Sequence, residues 1–201
     1  MLGSGLSALL VRFANSFLSV NAPLSSQVLV VEGWLPDYAL MGAIREFNRG
    51  DYKYLVAAGG PLVNAGPLTR FQTGAEFAAA KLQELGLSSN CIVAVPSTNS
   101  ERDRTYGSAL AVRSWLQRFH PAVRTVNVFS LAAHSRRTRL LFQKGLGNDV
   151  RVGVYAFPDA SYDAHRWWAN SEGARVVLSE AIAYLYARCV FPFFAQSGNG
   201  S

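Results

Sequence analysis

The stretch TVNVFSLAAHSRRTRLLFQKGLG, residues 125–147, restricts the possible folds more than any other part of the chain. Residues 126–131 form a near-continuous apolar run, the pattern of a strand buried on both faces. Two small residues follow, then His134, Ser135, Arg136 and Arg137, then Leu140, Leu141 and Leu146 at helical spacing. The reading is strand, tight turn, helix. The turn is electrostatically odd, because a helix N-terminus carries unpaired N–H groups and partial positive charge, and a cation there costs about 0.3–1 kcal/mol at low ionic strength. Arg136, Arg137 and His134 all stand against that preference. Either the site holds an anion, for which a helix N-terminus and arginines are suited, or the arginines of a surface helix simply extend into water.

The rest of the chain repeats the alternation. Residues 28–31 read as a first strand, closed by Glu32-Gly33-Trp34-Leu35-Pro36, with Pro36 and Asp37 starting a helix that turns Leu40, Ile44 and Phe47 inward and stops near Gly50. Residues 54–58 are a second strand ending in Gly59-Gly60-Pro61, where glycines permit a sharp turn or close approach to a ligand. After a long loop over residues 61–72, Thr73 and Glu76 have the spacing of a capping box for a helix that runs to Gly86. Residues 91–95 give a third strand. The polar loop PSTNSERDRT then leads into a helix through Tyr106, Leu110, Val112, Trp115 and Phe119. Residues 150–157 alternate as an edge strand does, and residues 171–190 form a last helix with Ala174, Val177, Leu178, Ala181, Ile182 and Leu185 at core spacing.

Five strands alternating with helices predict an α/β chain: a single domain with a mostly parallel sheet of about five strands flanked by helices, a Rossmann-like three-layer arrangement. The expected division is an amphipathic segment at 1–24, the α/β domain at 25–191 and a flexible tail at 192–201. In such sheets ligands bind outside the carboxyl ends of the strands. Glu32, Gly59 and Gly60, the loop carrying Arg104 and Thr105, and Ser130 with His134 and Arg137 all fall on that edge. Neither G-x-G-x-x-G nor a Walker A sequence is present, so neither a dinucleotide fingerprint nor a P-loop is supported, and no cofactor is indicated.

Charge narrows the ligand. The formal net charge is +6, but the basic residues are scattered without a run or an aromatic-basic ladder. That points away from nucleic acid and toward a phosphorylated ligand or an anionic membrane surface. The two cysteines, Cys91 and Cys189, suggest no disulfide framework or zinc site and are expected to be buried. Three histidines without i, i+4 pairing argue against a dedicated metal site, unless Glu32, His134 and Asp163 meet in space. Residues 6–20 place Leu6, Leu9, Leu10, Phe13, Phe17 and Leu18 on one helical face. The segment is too short to span a bilayer and lacks the marks of a signal peptide. It packs on the domain, lies on a membrane as a peripheral contact, or is the stub of a longer anchor.

Five features carry a likeness to a known family: the strand and turn VLVVEGWLP, the strand end Gly59-Gly60, the helix with early Glu76, the polar loop with Thr105, and the strand from Ser130 to His134 and Arg137. Over residues 28–186 the chain resembles the bacterial YdcF/SanA/ElyC-like family, known as a domain of unknown function. The resemblance implies an α/β domain with a polar site that includes these residues. It also links the chain to the cell envelope and peptidoglycan maturation, and so to a membrane-associated or envelope location. The polar loop reads Arg104-Thr105-Tyr106-Gly107-Ser108 where the family has Asn-Thr-x-Glu-Asn.

Two function classes follow. One is an enzyme, a hydrolase or transferase acting on a small or lipid-linked phosphorylated metabolite. There Arg104 and Arg137 hold the anion, His134 serves as acid–base or nucleophile and Glu32 as its partner or a base, while Gly59, Gly60, Glu76, Thr105, Ser130, Ser135 and Arg136 contribute to binding. The other is a non-catalytic module binding a nucleotide or lipid phosphate at the same edge. The enzyme needs a carboxylate near His134; the binder needs only arginines and glycines. His165 with Asp163 precedes the pair Trp167-Trp168, read as core or lid packing or as a stacking surface.

Overall fold

The structure is a computed structural model that describes residues 13–62, 70–98 and 103–190. Five strands, β1 (Val28–Glu32), β2 (Tyr54–Gly59), β3 (Ile92–Pro96), β4 (Thr125–Leu131) and β5 (Arg151–Phe157), form one sheet in the order β3-β2-β1-β4-β5. Every neighbouring pair is parallel. The helices are α1 (residues 13–18), α2 (Asp37–Arg49), α3 (Gly74–Glu84), α4 (Arg104–Phe119), α5 (Ser135–Leu146) and α6 (Ser171–Leu185). The chain is therefore a single three-layer α/β domain, as the alternation predicts.

Burial in β1 explains the layers. Val28 and Val30 pack into a core with Ala109, Val112 and Leu116 of α4 and Phe142 and Leu146 of α5. Leu29 and Val31 face the opposite way, toward Leu40 and Ala43 of α2 and Ala78 and Leu82 of α3. A side-chain period of two on a strand covered from both sides makes every residue apolar. Burying such side chains is worth roughly 1.5–3 kcal/mol each, so the two central strands anchor the fold. Strand order reverses direction between β1 and β4, and at such a switch point the loops diverge to open a crevice. Glu32 ends β1 and Ser130 lies near the end of β4, so both stand at that point.

The N-terminal stretch belongs to this packing. Leu18 is buried with Val177 and Trp167, and Ala22 forms an antiparallel bridge with Val154. The buried Asn127 side chain accepts from the Leu24 amide at 2.8 Å and donates to the Leu24 carbonyl at 2.7 Å. Residues 13–24 thus lie against the domain, while Leu6, Leu9, Leu10 and the 192–201 tail fall outside the described residues. Among the described residues no helix is long and apolar enough to cross a membrane.

Several expectations about burial are corrected. Cys189 is exposed and Cys91 half-buried, both as free thiols. Phe119 stands exposed at the end of α4. In α6 the buried face is Gly173, Val176, Val177 and Glu180, so Leu178, Ile182 and Leu185 point outward. That helix lies at the rim, and the side turned inward is the one that reaches the polar turn after β4.

Candidate active site at the carboxyl edge

A cleft of about 620 Å³ opens at the carboxyl ends of the strands. Its floor and walls include Glu32, Gly33 and Trp34 after β1, Gly59 and Gly60 after β2, Arg104 and Thr105 at the start of α4, and His134 and Arg137 around the turn after β4. The far wall is α6, through Arg175, Val176 and Ser179.

The turn after β4 sets the position of the histidine. Ala132 holds φ at +21°, a conformation that residues with a Cβ rarely adopt. It turns the chain from strand into a short 3-10 segment, Ala132–His134, that runs directly into α5. Two hydroxyls pin the base of α5. Ser135 accepts from the Val20 amide at 2.7 Å and donates to the Leu18 carbonyl at 3.2 Å. Ser130, fully buried, points the other way, toward Glu32 at 3.3 Å.

The cations of this turn find their anion inside the protein. Arg137 Nε donates to Glu180 Oε2 at 2.7 Å and Nη2 to Oε1 at 2.9 Å, a two-pronged pair. His134 Nδ1 lies 2.9 Å from Glu180 Oε1 and 3.4 Å from Arg137 Nη2. A carboxylate can only accept, so the short contact places a hydrogen on Nδ1. Nε2 then has no hydrogen-bond partner among the described residues. Burial alone would raise the Glu180 carboxyl, but the hydrogen bonds and charges of His134 and Arg137 pull it down to about 2. Burial likewise opposes the charge on Arg137, yet Glu180 outweighs it and raises the guanidinium above its ordinary value. The indole of Trp34 covers the imidazole with ring centres 4.7 Å apart.

Glu32 is not the partner of His134. Its Oε1 accepts from Thr105 at 3.0 Å and its Oε2 from Thr138 at 3.0 Å, with Ser130 and Thr138 also 3.3 Å from each other. The carboxylate is buried, at 3% exposure, and ties the first turn of α4 to the ends of β1 and β4. Glu180, which supplies the carboxylate near His134, is the residue that sequence reading missed. Its signal was available: an acid three and four positions after Val177 and Val176, on the same side of the helix as those two valines.

The remaining expected site residues divide. Gly59 and Gly60 line the cleft, yet the demand for glycine at position 59 comes from α3. A Cβ there would sit 2.9 Å from the Ala75 nitrogen, and one on Gly33 would sit 2.5 Å from the Gly74 carbonyl. Glu76 is not among the lining residues. Its Oε2 accepts from the amides of Gln72 and Thr73 at 2.9 and 3.0 Å, while Thr73 Oγ1 accepts from the Glu76 amide, completing the capping box. Arg136 turns away from the cleft to the Phe17 carbonyl and stacks over the Phe17 ring at 4.0 Å. Ser135 is structural in its contacts. Trp167 is buried and serves packing, while Trp168, set edge-on against it at 5.9 Å, stands exposed. Among the described residues no group of three His, Cys, Asp or Glu side chains gathers as metal ligands would.

Among the described residues lining the cleft, one cation stays uncommitted. Arg104 opens α4 at the cleft and is exposed. Among the described residues it makes no hydrogen bond or ion pair. The electrostatic argument first made for α5 therefore passes in part to α4, whose first residue is a cation without a hydrogen bond or ion pair among the described residues, while Asp103 stands at the N-cap position and lines the same cleft. Searches against known proteins found no family model and no curated protein that matches this chain. The resemblance to the YdcF-like family rests on the residues quoted for it.

Proposed function

We propose that the chain is a hydrolase or transferase acting on a phosphorylated, anionic metabolite of the bacterial cell envelope. The observation that supports this best is the state of His134. One ring nitrogen is fixed on a buried carboxylate, the other is unpartnered, and an uncommitted arginine lies in the same cleft. A carboxylate on Nδ1 holds an imidazole in one tautomer and one orientation, which is what proton transfer through Nε2 requires. Arg104 and the N-terminal amides of α4 bind the phosphoryl oxygens. Arg137, with Nε and Nη2 spent on Glu180, leaves Nη1 to the ligand and otherwise sets the posture of Glu180. Nε2 of His134 takes the proton of the attacking water or hydroxyl, or delivers one to the leaving oxygen. Glu32 acts as a positioning residue: through Thr105 it fixes the turn that carries Arg104. The envelope assignment is supported by the residue pattern shared with the YdcF/SanA/ElyC-like family.

The test is turnover. Phosphate release from a panel of phosphomonoesters and diphosphates, including polyprenyl phosphates, should identify a substrate for the wild-type protein. Since positioned proton transfer contributes about 10²–10⁴-fold, His134→Ala should lose a factor of that order. A variant as fast as wild type would remove His134 from the chemistry, and a wild type that binds these anions through Arg104 but turns none of them over would be a binding module instead.

A further inference from the structure

We infer that α1 and the outer stripe of α6 form a docking surface for an anionic lipid bilayer, which brings the cleft to the lipid headgroups; the second half rests on the anionic-ligand reading above. Leu178, Ile182 and Leu185 stand at i, i+4 and i+7 on one stripe of α6. Phe13 and Phe17 stand on α1, and Phe17 meets Tyr184 of α6 edge-on at 5.7 Å. All five are at least half exposed, Ile182 reaching 70%. Single exposed hydrophobics are ordinary, but a three-residue apolar stripe on α6, with α1 packed on Tyr184 of the same helix and exposing two phenylalanines, is a surface of the kind that marks an interaction site.

Two observations select the occupant. The first is sequence: along the chain Leu6, Leu9 and Leu10 precede α1, and Phe191, Phe193 and Phe194 follow Val190, so the apolar character of both segments continues in the residues next to them. The second is charge. Both acids of α6 are already matched, Glu180 by Arg137 and Glu172 by Arg175. Arg136, lying over the Phe17 ring, and the exposed Arg188 are then the charges beside the patch. A pairing of two such patches would bring together two surfaces that both carry unmatched positive charge, with neither supplying an acid from α6 to the other. Against an anionic bilayer they face opposite charge, as in helices that lie in a membrane interface.

The stripe also stands in a defined relation to the cleft. On a helix of about 3.6 residues per turn it lies roughly a quarter turn from Arg175 and Ser179, which line the cleft wall. A bilayer against the stripe therefore meets the rim of the cleft. A phosphorylated lipid can keep its chain in the bilayer while its phosphate reaches Arg104.

Co-sedimentation of the full chain with phosphatidylcholine vesicles, with and without phosphatidylglycerol, tests the inference. Ile182→Gln combined with Leu185→Gln removes the stripe without touching the cleft, and an unchanged melting temperature certifies its fold. Wild type should partition to the phosphatidylglycerol vesicles more than to phosphatidylcholine alone, and the double variant should bind at least about tenfold more weakly. Three results would overturn the inference: no partitioning by wild type, equal partitioning by the variant, or light scattering showing a dimer that these substitutions dissociate. None of them alters binding of soluble phosphate at Arg104, so the docking surface can fail while the cleft reading stands.

Discussion

At the scale of single residues, the site is organised by two buried carboxylates with separate duties. Glu180 carries its charge in the interior only because Arg137 and His134 hold it, and that makes the fold sensitive to acid in a defined window. A carboxyl held at about 2 against an ordinary 4.5 stabilises the folded state fully above pH 4.5, and the contribution disappears as pH falls through 2. The shift corresponds to about 3 kcal/mol. Urea unfolding of wild type and Glu180→Gln should therefore differ at neutral pH and converge toward pH 2; a gap independent of pH would contradict the pairing. Glu32 depends instead on hydroxyls. Thr138→Val removes the donor nearest its Oε2, and leaving a buried carboxylate short of a donor costs about 1–3 kcal/mol. Denaturant midpoints would report that loss, whereas an unchanged midpoint would mean that Thr138 does not serve Glu32.

At the scale of elements, the close crossing of the turn after β1, the end of β2 and the start of α3 determines the shape of the cleft. Backbone meets backbone there because Gly33, Gly59 and Gly74 carry no side chain. Gly33→Ala should push α3 off the strand ends and lower stability by about 1–3 kcal/mol, as overpacking does, with faster amide exchange through residues 74–78. Unchanged exchange would show that the crossing tolerates a methyl group. Strands and caps were legible in the sequence because they are local: the doubly apolar run of β4 and the Thr73–Glu76 spacing need no knowledge of the rest of the chain. The partner of His134 was not, because Glu180 lies 46 residues away on α6 and only the packing of that helix over the strand ends brings it in. The same placement misled the reading of α6 itself. Its apolar spacing is genuine, but the inward side is the one that carries Glu180, and the stripe with Leu178, Ile182 and Leu185 is left outside.

At the scale of the whole molecule, the parallel sheet gathers Glu32, Arg104, Thr105, His134 and Arg137 on one edge, at the point between β1 and β4 where strand order reverses. The polar edge was foreseeable from the alternation of strands and helices, while the strand order that puts Glu32 beside Ser130 depends on pairing that no local pattern encodes. The surplus cations of α5 proved to have partners within the fold, Glu180 for Arg137 and the Phe17 carbonyl for Arg136. Weight for ligand binding therefore falls on Arg104. Thermal unfolding in the presence of inorganic phosphate, pyrophosphate and a nucleoside monophosphate measures this most directly, comparing wild type with Arg104→Ala. Because Arg104 is exposed, its removal should leave the ligand-free melting temperature almost unchanged. The account predicts that at least one of these anions raises the melting temperature of wild type and that the rise vanishes in Arg104→Ala. Equal stabilisation of both proteins, or of neither, would contradict it.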